Sequence, residues 1–250
     1  NISVSFMRRH GKFLAGVVGP YCGNVVLRKT QYRLSESEEE CTKIAKNIIF
    51  GKLFNSRWVI ERATRDYSNS LDVEKLKNVS LQIKNSMESI SDCVDTASLR
   101  GVEGEAATRY FSVFDDLILR QKDDFFFRER NRRPPTDAVN AMLSFSYTML
   151  TSMVTSALYC VGLDPFVGYL HKDRPGRASL ALDMIEELRS VFADRFVLTM
   201  INRKSVNKAD FITKENGAVM FTDDGKKKFL QSWQNKKLTE IKHPYLEEKV

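Results

Sequence analysis

The sequence predicts a mainly α-helical protein, with the remnant of a small β domain at its start and a short β-hairpin near the C-terminus. Short apolar runs separated by glycine and proline fill residues 1–33, which is typical of strands and turns. Between Pro20 and Pro134 there is no proline, glycine is almost absent until Arg100, and apolar residues recur at helical spacing. We therefore divide the chain into the C-terminal part of an N-terminal β domain, residues 1–33, and an α-helical domain, residues 34–250.

The first segment is too small to be a self-sufficient sheet. Residues 2–6 alternate between apolar and polar side chains, and residues 13–18 and 24–27 are short apolar runs in which we expect further strands. Isolated hairpins are marginal in water. Because Asn1 rather than Met begins the sequence, we expect that the true start and the earlier strands of this β domain are missing.

The helices are predicted from caps and apolar stripes. Ser35 or Ser37 can cap the first helix, and the glutamates that follow favour the positive end of its dipole. Further helical segments are predicted at 76–90, from about 98 to 114, at 137–161, at 178–191 with a continuation to 200, and at 226–238. Between the last two, Asn216-Gly217 separates alternating apolar positions, which predicts a hairpin over residues 211–221.

Residues 138–163 contain no charged side chain and are long enough to cross a bilayer. The segment is rich in serine and threonine, and Asp137 and Asp164 flank it. We therefore predict a buried helix of a soluble protein rather than a membrane span.

The 250 residues include 39 Lys and Arg against 32 Asp and Glu, a formal charge of +7. A hydrophobic fraction of 42% argues against disorder. The positive charge is concentrated in residues 1–33, 120–133 and 202–250, which suits a polyanion such as nucleic acid or a membrane surface. The alternative is the solvated surface of a basic protein.

The cysteines form no metal-binding or redox motif. Cys22, Cys41, Cys93 and Cys160 are far apart, with no C-x-x-C pair. We interpret them as reduced thiols of an intracellular protein, and no signal peptide is visible.

One candidate site residue lies between two glycines of a predicted helix. Each glycine weakens a helix by about 1 kcal/mol, so we expect another helix or a ligand to approach closely at Gly101 and Gly104. Glu103 sits between these two glycines. The alternative is an ordinary surface carboxylate.

A second group combines a histidine with acidic residues. His171 precedes a basic loop containing Arg174 and Arg177, and Asp183 and Glu186 share one face of the helix that follows. A histidine and carboxylates from different helices are suitable ligands for Mg²⁺ or Mn²⁺. The alternative is a helix N-terminus with surface charges.

A third segment interleaves aromatic and basic residues before the long charge-free helix, which Thr136 or Asp137 can cap. Such a pattern suits contact with nucleic-acid phosphates and bases. Alternatively, some of the three phenylalanines belong to the core. The residues concerned are Phe125, Phe126, Phe127, Arg128, Arg130, Arg132 and Arg133.

Together, three segments resemble the CRISPR-associated integrase family, Cas one. They are VEGEAATRYF at 102–111, RRPPTDAVNAMLSFSYTML at 132–150 and GYLHKDRPGRASLALDMIEELR at 168–189. Residues 4–33 are similar to the end of the N-terminal β domain of that family, so the resemblance covers nearly the whole chain. The form of the second segment is most similar to the type I-C branch.

The resemblance implies a metal-dependent DNA endonuclease and integrase that inserts captured DNA as spacers into a CRISPR array. It implies that Glu103, His171 and Glu186 are the catalytic ligands of Mg²⁺ or Mn²⁺, with Asp183 as a supporting or substitute ligand. Glu105 and Glu187 do not match ligand positions, and we expect them at the surface.

The resemblance also implies partners. These are double-stranded DNA (prespacer and CRISPR repeat), a second copy in a homodimer of the full-length protein, the small Cas two subunit and, in some systems, a Cas four nuclease. The expected location is the cytoplasm of a prokaryote, with no membrane partner. The candidate DNA-binding residues are Arg128, Arg130, Arg132, Arg133, Lys172, Arg174 and Arg177. Two alternatives remain: a DNA-binding structural subunit without catalysis, and a structure-selective DNA repair nuclease.

Overall fold

A computed structural model describes residues 4–7, 13–17 and 23–239 of the chain. Eight α-helices and four short strands make up this part, which confirms the mainly α class with a hairpin near the C-terminus. In chain order they are β1 (Val4–Met7), β2 (Phe13–Val17), α1 (Val25–Ser35), α2 (Glu38–Asp66), α3 (Val73–Glu88), α4 (Thr96–Ser112), α5 (Ala138–Val161), α6 (Ser179–Leu188), α7 (Arg195–Asn202), β3 (Phe211–Thr213), β4 (Val219–Phe221) and α8 (Asp223–Lys237).

Strands β1 and β2 form an antiparallel pair in which Phe6 lies opposite Ala15. The expected strand at residues 24–27 is wrong, because these residues begin α1. The side chain of Asn24 accepts a hydrogen bond from the Leu27 N–H at 3.0 Å and caps the helix. A short apolar run fits the first turn of a helix as well as a strand, and the cap decides between them. The proposed domain boundary after residue 33 therefore falls inside α1.

Helix α1 is hydrogen-bonded to the loop between α5 and α6. The side-chain amide of Gln31 donates to the carbonyls of Asp164 at 2.8 Å and Val167 at 3.1 Å, and its oxygen accepts from the Asp164 N–H. Gln31 is almost fully buried, so these bonds replace water that its amide would otherwise hold. They fix the start of the loop that carries His171.

Helix α2 is the central helix, and α3, α4 and α6 pack against it. Ser37 caps it, with three glutamates in its first turn, as predicted. Its apolar stripe includes Ala45, Ile49, Leu53 and Ile60, whose side chains are almost fully excluded from solvent. The stripe lies against the helices that carry the candidate site residues.

Helix α5 begins at its cap Asp137 and is largely buried on one side, as predicted. Its threonines satisfy their hydroxyls within the helix: Thr148, Thr151 and Thr155 donate to the carbonyls four residues earlier at 2.7 to 2.9 Å. None of the helices in the described part of the chain is both long enough and apolar enough to cross a membrane.

The helical segment from α6 to α7 is not α-helical throughout. Helix α6 continues into a π-helical turn at residues 189–194 and then into α7. Further on, Phe211 pairs with Phe221 in the predicted hairpin of β3 and β4. Helix α8 closes this end by burying Phe229 and Trp233.

Within the described residues, Cys41 and Cys93 are buried free thiols and Cys160 is an exposed free thiol. Cys22, His10 and His243 lie outside the described residues.

Candidate metal and nucleic-acid site

The structure brings three predicted residues together from separate elements. Glu103 lies on α4, Glu186 on α6, and His171 in the loop that precedes α6. His171 Nε2 lies 3.9 Å from Oε1 of Glu186. Arg100, one turn before Glu103, donates to the Leu170 carbonyl at 3.1 Å and so ties α4 to the His171 loop.

Asp183 is the fully buried anchor of this loop. Its Oδ2 accepts from the N–H groups of Tyr169 at 2.6 Å and Leu170 at 3.0 Å. Its Oδ1 accepts from the His171 N–H at 2.9 Å and lies 2.6 Å from Nδ1 of the imidazole. With Nδ1 bound in this way, Nε2 is the ring nitrogen that remains for a ligand. The contacts of Asp183 therefore favour the supporting role over direct ligation.

Gly168 makes this arrangement possible. A Cβ atom at this position would lie 2.8 Å from Cβ of Ser179 and 2.9 Å from Oδ2 of Asp183. The loop can approach α6 this closely only because residue 168 has no side chain.

Lys52 of α2 lies between the two glutamates and is not among the residues that the sequence predicts for the site. Its ammonium donates to Oε1 of Glu103 in a very short contact and to Oε2 of Glu186 at 2.6 Å. The Lys52 side chain is 12% exposed, against 25% for Glu103 and 3% for Glu186. The sequence does indicate that Lys52 faces inward, because it falls on the helical stripe between Ile49 and Ser56, both on the inner side of α2.

Glu186 has a second cationic partner, Arg189, which is also not among the predicted site residues. Nη1 of Arg189 lies 2.7 Å from Oε1 of Glu186 in an ion pair. Burial opposes the charged form of Glu186, but the positive charges of Lys52 and Arg189 outweigh it and lower the pKa of the carboxyl below its usual value. Glu186 is therefore an ionised, nearly buried carboxylate near neutral pH.

The donor set has the right chemistry for a hard divalent cation: two carboxylates and one imidazole nitrogen. Within the residues that the structure describes, no group of three His, Cys, Asp or Glu side chains has the arrangement of a formed metal site. The Lys52 ammonium stands where the two carboxylates would share a cation. The residues thus fit Mg²⁺ or Mn²⁺, and in this structure the two carboxylates contact the Lys52 ammonium.

A cavity of about 50 Å³, lined by both polar and apolar side chains, extends from Lys52, Glu103 and Glu186 into the protein. At its inner end the Tyr147 hydroxyl donates to Oδ1 of Asp194 at 2.6 Å. Burial raises the pKa of Asp194 to about 6, because the charged carboxylate would have to lose its water. The ring of Tyr147 lies next to two guanidinium groups, those of Arg130 and Arg189, at 5.3 and 5.1 Å from its centroid.

The predicted DNA-binding arginines separate into two kinds. Arg130 faces inward: it donates to Oδ1 of Asn140 at 2.7 Å and to Oγ of Ser144 at 3.1 Å. Arg132 is exposed and lines the same cavity as Glu103. The other candidates lie in two loops: the arginine loop before α5, with Arg128 to Arg133, and the His171 loop before α6, with Lys172 to Arg177. Arg177 is half-buried, and the exposed side chains are Arg128, Arg133, Lys172 and Arg174.

The glycines of α4 do not mark close packing. A Cβ atom at either Gly101 or Gly104 would meet nothing within 4 Å, and both residues are exposed. The expected close approach of another helix is therefore wrong, because a glycine in a helix can equally leave open surface, and the approach of a ligand stays a prediction. Glu103 lies beside this open surface, while Glu105 and Glu187 are exposed as expected.

Two of the three phenylalanines belong to the core, as the alternative interpretation predicts. Phe125 and Phe127 are buried, whereas Phe126 is 43% exposed with the Arg128 guanidinium 5.5 Å from its ring centroid.

A family model described as "CRISPR associated protein Cas1" matches residues 1–235. The chain belongs to the Cas1 family. It is 45% identical over 249 residues to a protein of Chlorobaculum tepidum named CRISPR-associated endonuclease Cas1 1, covering 100% of this chain and 73% of that protein. The type I-C branch and the loss of an N-terminal segment remain predictions.

Two solved structures share the fold. A casposase bound to its integration product has a TM-score of 0.82 at 28% identity, covering 98% of this chain and 66% of that chain. A chain of a structure named partial Cas6-RT-Cas1–Cas2 complex has a TM-score of 0.77 at 24% identity, covering 94% of this chain and 69% of that chain. The second likeness shows the fold alone.

Proposed function

We propose that this Cas1 protein is a metal-dependent DNA endonuclease and integrase that inserts captured DNA fragments as spacers into a CRISPR array. One observation carries the proposal: Glu103 and Glu186 line the same cavity beside open surface, and Nε2 of His171, from a third element, lies 3.9 Å from Oε1 of Glu186. The names of the relatives support it, since they include an endonuclease and a casposase bound to an integration product.

Glu103, His171 and Glu186 would hold Mg²⁺ or Mn²⁺, which when bound supplies Lewis-acid stabilisation of the charge that develops on the reacting phosphate. Asp183 would orient the imidazole through Nδ1 so that Nε2 points to the ligand or carries a proton. Arg189 would keep Glu186 ionised and in place.

The reaction is a phosphoryl transfer. The 3′-hydroxyl of a captured DNA fragment forms a bond to a phosphorus at the edge of a CRISPR repeat, and the bond from that phosphorus to the 3′-oxygen of the repeat breaks. The attacking hydroxyl loses a proton and the departing oxygen gains one, so the number of phosphodiesters is unchanged. Water in place of the hydroxyl makes the same site an endonuclease.

The DNA surface would consist of the two loops that flank the site. Arg132, in the first of these loops, also lines the cavity. Lys172 and Arg174 follow His171 in the second loop and have exposed side chains. Their positive charges can neutralise phosphates on either side of the reacting one. Arg130 would act from inside, by holding the arginine loop against α5.

The partners are proposed on the same basis. A chain of the same fold occurs in a complex whose name includes both Cas1 and Cas2, which supports a Cas2 subunit here. A Cas4 nuclease, pairing of two copies and a cytoplasmic location in a prokaryotic cell remain predictions from the family resemblance.

Strand transfer of a labelled DNA fragment into a plasmid with a CRISPR repeat tests the proposal, with and without Mn²⁺. Glu103→Gln or His171→Ala should abolish product, while Glu105→Gln, two residues away and exposed, should retain it. Circular dichroism checks that each variant folds. Full activity of Glu103→Gln, or activity without metal, contradicts the proposal.

The same assay separates the alternatives. A structural subunit gives no product with any variant or metal, whereas a repair nuclease cleaves branched DNA in preference to the repeat plasmid.

A further inference from the structure

The ammonium of Lys52 occupies the position between Glu103 and Glu186 that a shared cation would take. Two carboxylates that face one position repel each other unless a positive charge lies between them. Lys52 reaches this position from the middle of α2, and its side chain is 12% exposed. We propose that Lys52 is a resident cation of the site, which holds the two glutamates together in the metal-free protein and must withdraw before a divalent metal can bind.

The charges of the site require the withdrawal. Glu103 and Glu186 carry two negative charges, and Lys52 and Arg189 carry two positive charges, so the four side chains sum to zero. The carboxylate of Asp183 is already engaged in four hydrogen bonds with the His171 loop. A divalent ion added to this set would face an ammonium at contact distance in a poorly hydrated site, where like charges repel strongly.

Lys52 can withdraw, because a lysine ammonium is a point charge on a flexible stem. Arg189 is less free to do so, since its guanidinium also lies against the ring of Tyr147. The natural destination for the released ammonium is a DNA phosphate at the open surface beside Glu103. DNA and metal would then bind cooperatively, since each favours the state in which Lys52 has left the carboxylates.

The inference rests on the proposed metal site, and Mn²⁺ binding without DNA tests it. Electron paramagnetic resonance counts free Mn²⁺ in titrations of the wild type and of Lys52→Met. We expect Lys52→Met to bind at least about tenfold more tightly, because the competing charge is gone. Unchanged or weaker binding overturns the proposal.

The matched control is Lys43→Met. Lys43 lies on the same helix and also pairs with two glutamates, Glu39 at 2.7 Å and Glu40 at 2.8 Å, but its side chain is 58% exposed. Its replacement should leave Mn²⁺ affinity at the wild-type value. An equal gain in both variants would mean that general charge, not the position of Lys52, sets the affinity, and would overturn the proposal.

Thermal unfolding gives a second readout. Metal-free Lys52→Met should melt below the wild type, and Mn²⁺ should raise its melting temperature by more than it raises that of the wild type. A lower melting temperature with no larger response to Mn²⁺ would make Lys52 purely structural. If Lys52→Met does not fold, Lys52→Gln, which keeps polar contacts without the charge, takes its place.

Glu103→Ala separates this inference from the proposed function. If tight Mn²⁺ binding by Lys52→Met survives the additional change Glu103→Ala, the metal-site assignment is wrong and both proposals fall. If Glu103→Ala abolishes Mn²⁺ binding while Lys52→Met binds like the wild type, only the role of Lys52 is refuted.

Discussion

The Nδ1 atom of His171 lies 2.6 Å from Oδ1 of Asp183, so the imidazole presents Nε2 toward Glu186. The same carboxylate also binds three consecutive backbone N–H groups. One buried side chain therefore sets both the path of the loop and the orientation of its histidine.

Replacing Asp183 with asparagine should affect stability and activity together. The amide brings a donor against N–H groups that need an acceptor, so the free energy of unfolding should fall by about 3 kcal/mol. Metal-dependent strand transfer should fall roughly 10–100-fold, as for other groups that orient a metal-binding histidine. Urea unfolding and the strand-transfer assay measure the two effects. The exposed Glu187→Gln on the same helix is the control, and a loss of the same size there would refute the explanation.

A methyl group at position 168 should disturb the same loop. Gly168→Ala places an atom 2.9 Å from Oδ2 of Asp183, and the resulting overpacking should cost about 1–3 kcal/mol. Gly101→Ala, on the open face of α4, should instead stabilise the protein by roughly 0.5–1 kcal/mol. Thermal unfolding compares the two. A stabilising Gly168→Ala would show that the loop does not need this close approach.

Asp194 should make stability depend on pH in the acidic range. Its pKa is about 6 in the folded protein, where burial outweighs its hydrogen bonds and the nearby Arg130 and Arg189, and about 3.9 in an unfolded chain. The folded protein thus holds this proton more tightly. Its contribution to the free energy of unfolding falls as pH rises from about 4 to about 6 and is constant above that.

Asp194→Asn removes this dependence. The stability of the variant relative to the wild type should therefore rise by up to about 3 kcal/mol between pH 4 and pH 7. Urea unfolding at several pH values measures the difference, with the exposed Asp123→Asn as the control. A difference that does not change with pH would mean that Asp194 titrates normally.

The loop after His171 should contribute salt-dependent DNA binding. Replacing Lys172 and Arg174 with glutamine should weaken binding and reduce the slope of log affinity against log salt by roughly one for each phosphate that the loop no longer neutralises. Fluorescence anisotropy from about 50 to 200 mM salt measures this. Lys77→Gln, exposed on α3, should leave the slope unchanged. Equal slopes in all proteins would exclude phosphate contacts by this loop.

Local patterns predicted most of the fold. Caps and apolar spacing located α2, α5 and the hairpin of β3 and β4, because each depends on residues a few positions apart. They failed at residues 24–27, where one asparagine side chain turns an apolar run into a helix. The open face at Gly101 and Gly104 was also missed, since the sequence does not tell a close neighbour from solvent.

Residue types and the family resemblance led to Glu103, His171 and Glu186, and the structure brings them together. Lys52 could not be assigned a partner in this way, because its contacts with Glu103 and Glu186 join residues 51 and 134 positions apart. Only the packing of α2 against α4 and α6 creates them. Asp194 could not be predicted for a related reason. Its side chain points inward because of a π-helical turn, and the spacing of apolar residues does not predict such a turn.

That turn at residues 189–194 behaves as a spacer of one residue. A π-helix uses i to i+5 hydrogen bonds, so it accommodates more residues per turn than the helices on either side. If residues 189–194 formed ordinary α-helix with no residue removed, every following side chain would rotate by about 100°. Arg189 would stay with Glu186, but Asp194 and the buried face of α7 would turn away from Tyr147. The π-helical turn, by taking up one extra residue, therefore sets which face of α7 is buried.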